Sequence, residues 1–204
     1  MVFIDNLAYG LFSIGFASFL LLYTVISMYM VYRRGNRVYS EYLNSASVPL
    51  MLIGLYMVVQ ALWGQFVWPL PGSYNVLFYD PLISFGLLLV GFFLSVRYKV
   101  RLEYIGFFGL LVGFMVIIYG IQGYNIKLTS EPLAMLVMYL LFGLCGIISY
   151  PVSLIADRLP GHKKNVWIGW YIFLGLFCLL LLLAGLLSVG VGYAAVSQHL
   201  IKAP

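Results

Sequence analysis

The sequence predicts an all-α polytopic membrane protein, a bundle of six transmembrane helices with both termini outside the cytoplasm, and three observations lead there. Hydrophobic residues make up 64% of the 204-residue chain and charged residues only 8%. The mean hydropathy of +1.04 lies far outside the globular range. Six apolar runs recur along the chain, most of them long enough to cross the hydrocarbon layer. Basic residues gather in alternate connections: Arg33, Arg34, Arg37, Arg97, Lys99, Arg101, Arg158, Lys163 and Lys164 follow the first, third and fifth runs, and only Lys127 and Lys202 lie on the opposite side. The positive-inside rule then turns both termini away from the cytoplasm.

The first run, 6–32, has no basic segment before it and its arginines behind it, the pattern of a retained span and not of a cleaved secretory signal. The second, 48–67, follows a polar stretch, 35–47, whose Glu41 and Asn44 suit a short surface helix. The third, 81–96, is short and stops at the basic turn Arg97, Lys99, Arg101. A turn-rich connection follows the fourth, 104–120. The fifth, 132–155, contains Pro151, which removes a backbone hydrogen bond and predicts a kink. The sixth, 166–193, precedes a short tail. The whole chain, 1–204, reads as one transmembrane domain. Many of its 17 tyrosines fall near run ends, where an apolar ring with a polar tip suits the headgroup layer.

The stretch 68–86 is expected to be a connection folded back onto the membrane surface. Pro71-Gly72 suits the centre of a type II turn, and Val76-Leu77-Phe78-Tyr79 is apolar enough to lie in the interface as an anchor. An internal repeat is also suggested. The odd runs open with Asp5-Asn6-Leu7-Ala8, Asp80-Pro81-Leu82-Ile83 and Glu131-Pro132-Leu133-Ala134, while two even runs leave through Trp63-Gly64-Gln65 and Tyr119-Gly120-Ile121-Gln122. Three pseudo-repeated helical hairpins would produce this pattern.

The candidate functional residues fall into three groups. Asp5, Asp80 and Glu131 would form a carboxylate ring at the outer mouth, a place for a hard cation or a proton. Helix capping explains the same acids without a ligand, since Asp is a good N-cap, acids suit a helix N-terminus and proline suits the first helical position. Tyr56, Gln60, Gln65 and Gln122 form a candidate polar stripe for a solute or quinone headgroup. The commoner role for Gln60 is an interhelical hydrogen bond, which contributes about 1 kcal/mol in membranes. Gly106, Gly109 and Gly113 make a small-residue face that lets a neighbouring helix of the same bundle, or less often a second copy, approach closely. The basic connection 158–164 would suit anionic lipid heads, although topology already explains its charges.

Other chemistries lack their residues. No ionisable side chain falls in the middle of any expected run, which counts against pumps and ion-coupled carriers. His162 and His199 lie in a connection and the tail, so haem ligation within the bundle has no partners, and zinc sites lack ligands for the same reason. No histidine or lysine is placed to activate a serine. No catalytic, metal or cofactor-binding residue is therefore assigned. Cys145 and Cys178 read as small core residues. The net charge of +5 is scattered over short connections with no fold to present it, which excludes a nucleic-acid partner.

Four segments carry a family likeness: Phe3-Ile4-Asp5-Asn6-Leu7, Pro69-Leu70-Pro71-Gly72-Ser73-Tyr74-Asn75, Asp80-Pro81-Leu82 and Leu140-Leu141-Phe142-Gly143. With them the chain resembles, over residues 1–193, a family of small archaeal and bacterial membrane proteins designated domain of unknown function 981. The resemblance implies a fold and a topology, and no activity, substrate or cofactor. The expectation is a non-catalytic protein of the cell (cytoplasmic) membrane, an accessory or scaffold subunit of a larger complex or homo-oligomer. Its partners would be membrane lipids and other membrane-protein subunits or its own copies. The alternative is a channel or carrier for a small neutral or lipophilic solute. An enzyme acting on lipid or quinone ranks third, for want of a general base.

Overall fold

The computed structural model describes residues 6–33, 39–158 and 168–201. Asp5, Arg34, Arg37, His162, Lys163, Lys164 and Lys202, on which parts of the cap, ligand and topology readings rest, lie outside them, as does the His199 side chain. The described residues form six helices and no strand: α1 (Asn6–Arg33), α2 (Tyr39–Val67), α3 (Ser73–Arg97), α4 (Leu102–Asn125), α5 (Pro132–Arg158) and α6 (Ile168–Ile201). Every one is long and apolar enough to cross a membrane. The shortest has 24 residues and the longest 34, which at 1.5 Å per residue covers a hydrocarbon layer of about 30 Å. Arg33, Arg97 and Arg158 close α1, α3 and α5 and define a basic end. The opposite, far end holds the starts of these helices.

The largest departure from expectation is at 68–86. Only residues 68–72 connect α2 to α3, and α3 runs from Ser73 straight through Pro81. Gly72 takes φ 52° and ψ −130°, a backbone state that costs glycine little. The turn closes from the Tyr74 N–H to the Pro71 carbonyl at 3.2 Å. Gly72 is thus the first central residue of a type II′-like turn and not the second of a type II. Asn75, only 1% exposed, fastens the turn to the end of α2. It accepts from the Leu70 N–H at 3.3 Å and donates to the Gly64 carbonyl at 3.0 Å. Leu77 and Tyr79, expected at the interface, are buried instead.

Pro81 does not end this helix because another helix replaces the bond it removes. Lacking an N–H, Pro81 leaves the Leu77 carbonyl without its helical donor. The Tyr139 hydroxyl of α5 donates to that carbonyl at 2.7 Å, the kind of side-chain rescue that membrane helices allow. Asp80 consequently sits inside α3, near its far end, and is no N-cap, a correction to the capping reading. Glu131 does occupy a cap position: it is exposed, and its carbonyl receives the Met135 N–H at 3.1 Å. At its basic end α2 begins at Tyr39, so the expected surface helix around Glu41 is its first turns, and Pro49 lies within it. α4 and α6 likewise run past the expected ends at 120 and 193.

Each helix packs on its sequence neighbours, and α6 packs on α1, which closes a ring. The contacts α4–α5, α2–α3 and α1–α6 are the most extensive, and glycine makes all three. A Cβ on Gly113 would stand 2.5 Å from the Gly143 carbonyl oxygen, and one on Gly54 would stand 2.8 Å from that of Gly86. At the α1–α6 crossing a Cβ on Gly15 would meet the Val189 side chain at 2.6 Å. Lipid supplies no hydrophobic drive between helices, so close backbone approach and its dispersion energy take that role. The hairpins α1–α2, α3–α4 and α5–α6 meet less extensively.

At the basic end α5 also caps α4. The Asp157 carboxylate accepts the Leu102 and Glu103 N–H groups, both at 2.9 Å. These are orphan donors at a helix start, where the macrodipole favours an anion. The nearby Arg101–Glu103 pair at 2.7 Å has its arginine largely exposed and adds little. Gly113→Val should overpack the α4–α5 crossing and cost about 1–3 kcal/mol or more, read as a fall in the thermal unfolding midpoint in detergent. Gly175→Ala, where a Cβ meets nothing within 4 Å, should not lower it.

Candidate functional site

Within the ring lies a half-open chamber of about 210 Å³ to which all six helices contribute. Ile14, Met57, Phe85, Phe142 and Ala184 bound it toward the far end, and Met28, Leu43, Leu102 and Ala156 toward the basic end. The last four form a buried cluster of their own with Phe92, Val96 and Ile105 packed on it. Ser18, Thr24, Ser149 and Ser153 also line the chamber, yet each hydroxyl donates to a carbonyl of its own helix, of Ile14, Leu20, Gly146 and Tyr150 at 2.6–2.8 Å. The wall therefore presents carbon. An apolar space of this kind stays dry and takes an apolar guest.

A polar layer lies beyond the chamber at the far end. Asp80 receives two donors, the Gln65 amide on Oδ1 at 2.8 Å and the Tyr119 hydroxyl on Oδ2 at 2.7 Å. This ties α2, α3 and α4 together through an acid that would otherwise be costly so close to lipid. On the other side of α2 the buried Gln60 amide donates to the Asn6 backbone carbonyl of α1. Its Oε1 is without a hydrogen-bond partner among the described residues, and the buried Tyr79 hydroxyl lies beside the Asn6 side chain. The Tyr79 ring covers Gly64, where a Cβ would fall 2.4 Å from it. The Tyr9 and Tyr56 rings meet in a tilted pair, centroids 5.0 Å apart, across the same α1–α2 seam.

The candidate polar stripe is thus divided. Gln60 faces α1, Gln65 faces α3, Tyr56 is 40% exposed on the flank and Gln122 is exposed. No single face carries all four. Of the acids, Asp80 is engaged with Gln65 and Tyr119 and Glu131 is exposed. The third, Asp5, is outside the described residues. Among the described residues no group of three or more His, Cys, Asp and Glu gathers to hold a metal. Gly106, Gly109 and Gly113 all face α5, against Ser153, Ser149 and Gly143. Sequence reasoning missed the chamber and also Asn6, Asn75, Tyr119, Tyr139 and Asp157. Their partners lie on other helices, and an acid or tyrosine at a run end has an interfacial reading of its own. Pro81 alone gave a signal, because a proline inside a helix requires a donor from elsewhere.

The family profile described as "Protein of unknown function (DUF981)" matches residues 1–202. No curated protein and no solved structure matches the chain. The Asp80–Tyr119 bond should be the strongest of the side-chain contacts across the α3–α4 seam. A double-mutant cycle of Asp80→Ala with Tyr119→Phe should give a coupling of about 1.5 kcal/mol, the range of a hydrogen bond to a charged group and above the ~0.6 average of interhelical bonds. Denaturant unfolding in mixed micelles measures it.

Proposed function

We propose, from the premise that this chain belongs to the DUF981 family of proteins of unknown function, that it is a non-catalytic multi-pass protein of the cell membrane that holds a small lipophilic solute at its centre. One observation carries the reading: residues from all six helices converge on a single carbon-lined chamber. A bundle built only to be rigid would fill that space with side chains, as protein interiors do. Binding is favoured over turnover because the chamber lining holds no carboxylate, histidine or lysine to serve as a general base. The reading as an accessory or scaffold subunit draws on less, since the glycine face that would have offered a partner seam is occupied by α5.

The basic end is taken as cytoplasmic by the positive-inside rule, with both termini on the other side. Ser73→Cys, at the far end, should then react with an impermeant maleimide on intact cells, and Tyr98→Cys, 74% exposed at the basic end, only after permeabilisation. The opposite labelling pattern would reverse the orientation. For the chamber, native mass spectrometry of the protein released gently from membranes should show a co-purifying lipophilic adduct. Cys145→Phe, which fills part of the chamber from α5, should reduce that adduct at least tenfold with the fold retained by circular dichroism. An adduct-free wild type that also takes up no added hydrocarbon would end this reading.

A further inference from the structure

A second space adjoins the chamber. Between α1 and α2, toward the basic end, lies a cleft of about 300 Å³ walled by Tyr23, Ser27, Tyr42, Ser45 and Pro49 among others. Thr24 and Met28 line both the cleft and the chamber. They lie one helical turn apart on α1 and are 4% and 9% exposed. The partition between the two spaces is therefore these two side chains, on a seam that is one of the ring's less extensive contacts. Tyr23 and Tyr42 are 69% and 50% exposed, so the cleft faces the bilayer.

The two spaces differ in chemistry. The chamber is carbon, whereas the residues walling the cleft include the hydroxyl-bearing Tyr23, Ser27, Tyr42 and Ser45, and none of them is charged. Pro49 adds an acceptor. Without an N–H it leaves the Ser45 carbonyl lacking the donor that a helix normally supplies from four residues on. The same loss at Pro81 is made good by the Tyr139 hydroxyl. At Pro49 no described side chain donates to the Ser45 carbonyl in that way, and a hydroxyl arriving from the bilayer would serve the same purpose.

We propose that cleft and chamber together bind one single-chain lipid alcohol, its uncharged hydroxyl head in the cleft at Ser45 and its chain passing Thr24 and Met28 into the chamber. This rests on the reading of the chamber as a site for a lipophilic guest and names the class of guest and its way in. A chamber of 210 Å³, scaled from a cavity of about 150 Å³ that holds benzene, takes about eight carbons. Bulk lipid is as apolar as the chamber, so discrimination against it must come from the head. A wall without charge selects a neutral hydroxyl over a phosphate head.

The test uses the full chain in phosphatidylcholine nanodiscs with a photoreactive octane probe, displaced by unlabelled 1-octanol or by unlabelled octane. Octanol should displace the probe at a concentration at least fivefold lower than octane does, after correction for their partition into the bilayer. Pro49→Ala restores a backbone donor to the Ser45 carbonyl and favours the helix, so it should fold and should lose most of that preference. An octanol probe with its photoreactive group beside the hydroxyl should label α1 and α2 between residues 23 and 49. Equal displacement by octane and octanol in the wild type, a preference unchanged in Pro49→Ala, or head-group labelling elsewhere would overturn the proposal while leaving the chamber reading intact. Absence of saturable labelling by the octane probe would remove the chamber reading and the proposal with it.

Discussion

Close backbone approach at three glycine crossings is the constraint from which the architecture follows. Helices in lipid gain nothing from mutual hydrophobicity, so they associate where backbones can touch. Here that happens between α2 and α3, α4 and α5, and α6 and α1. Three tight pairs set side by side form a ring and cannot also fill its middle, because each helix has turned its small-residue stripe toward its partner. What faces the centre is Leu, Phe, Met and Val from six directions, and those side chains stop short of meeting. The chamber is thus a consequence of where glycine lies on each helix, and the three looser seams are where the ring can open.

Polar contacts hold two of those looser seams. The α3–α4 seam is joined by Asp80 and Tyr119, and the α1–α2 seam by Gln60 and Asn6 with the Tyr9–Tyr56 ring pair beside them. All of these lie at the far end. At the basic end the cleft lies in the α1–α2 seam beside the packed pair Met28 and Leu43, while the tight α4–α5 pair is fastened there by Asp157.

Much of the fold was legible in the sequence because lipid makes a simple demand. Long apolar runs must be helices, and the six runs are the six helices. Legibility failed where a local signal had a distant answer. Asp80-Pro81 has the composition of a helix start, and it is the interior of α3 only because Tyr139, far along the chain, donates to Leu77. Asn75 looks like a loop residue and is one of the most buried polar side chains, since it closes the α2–α3 turn. Gln60 was read correctly as a hydrogen-bonding candidate, but its acceptor is a backbone carbonyl, about which a side-chain pattern says nothing. The chamber had no signal at all. A helix that is apolar all round looks the same whether its inner face meets a neighbour or a void.

The placement of charge limits what the chamber can select. Asp157 is held by backbone N–H groups at one end, and Asp80 by an amide and a hydroxyl at the other. Neither lines the space between them, and its own hydroxyls are bonded back to their helices. A wall of this kind discriminates between guests by volume and shape, and in a bilayer that is weak discrimination, because any acyl chain offers the same carbon. Specificity has to arise at a boundary where polar groups remain available. At the far end Gln65 and Tyr119 are committed to Asp80, and Gln60 Oε1 and the Thr129 hydroxyl are buried without a partner. The cleft at the basic end is walled by Tyr23, Ser27, Tyr42 and Ser45, with Pro49 beside them inside α2. Under the proposed reading, recognition therefore falls to the rim, and the chamber behind it adds only a limit on volume and shape.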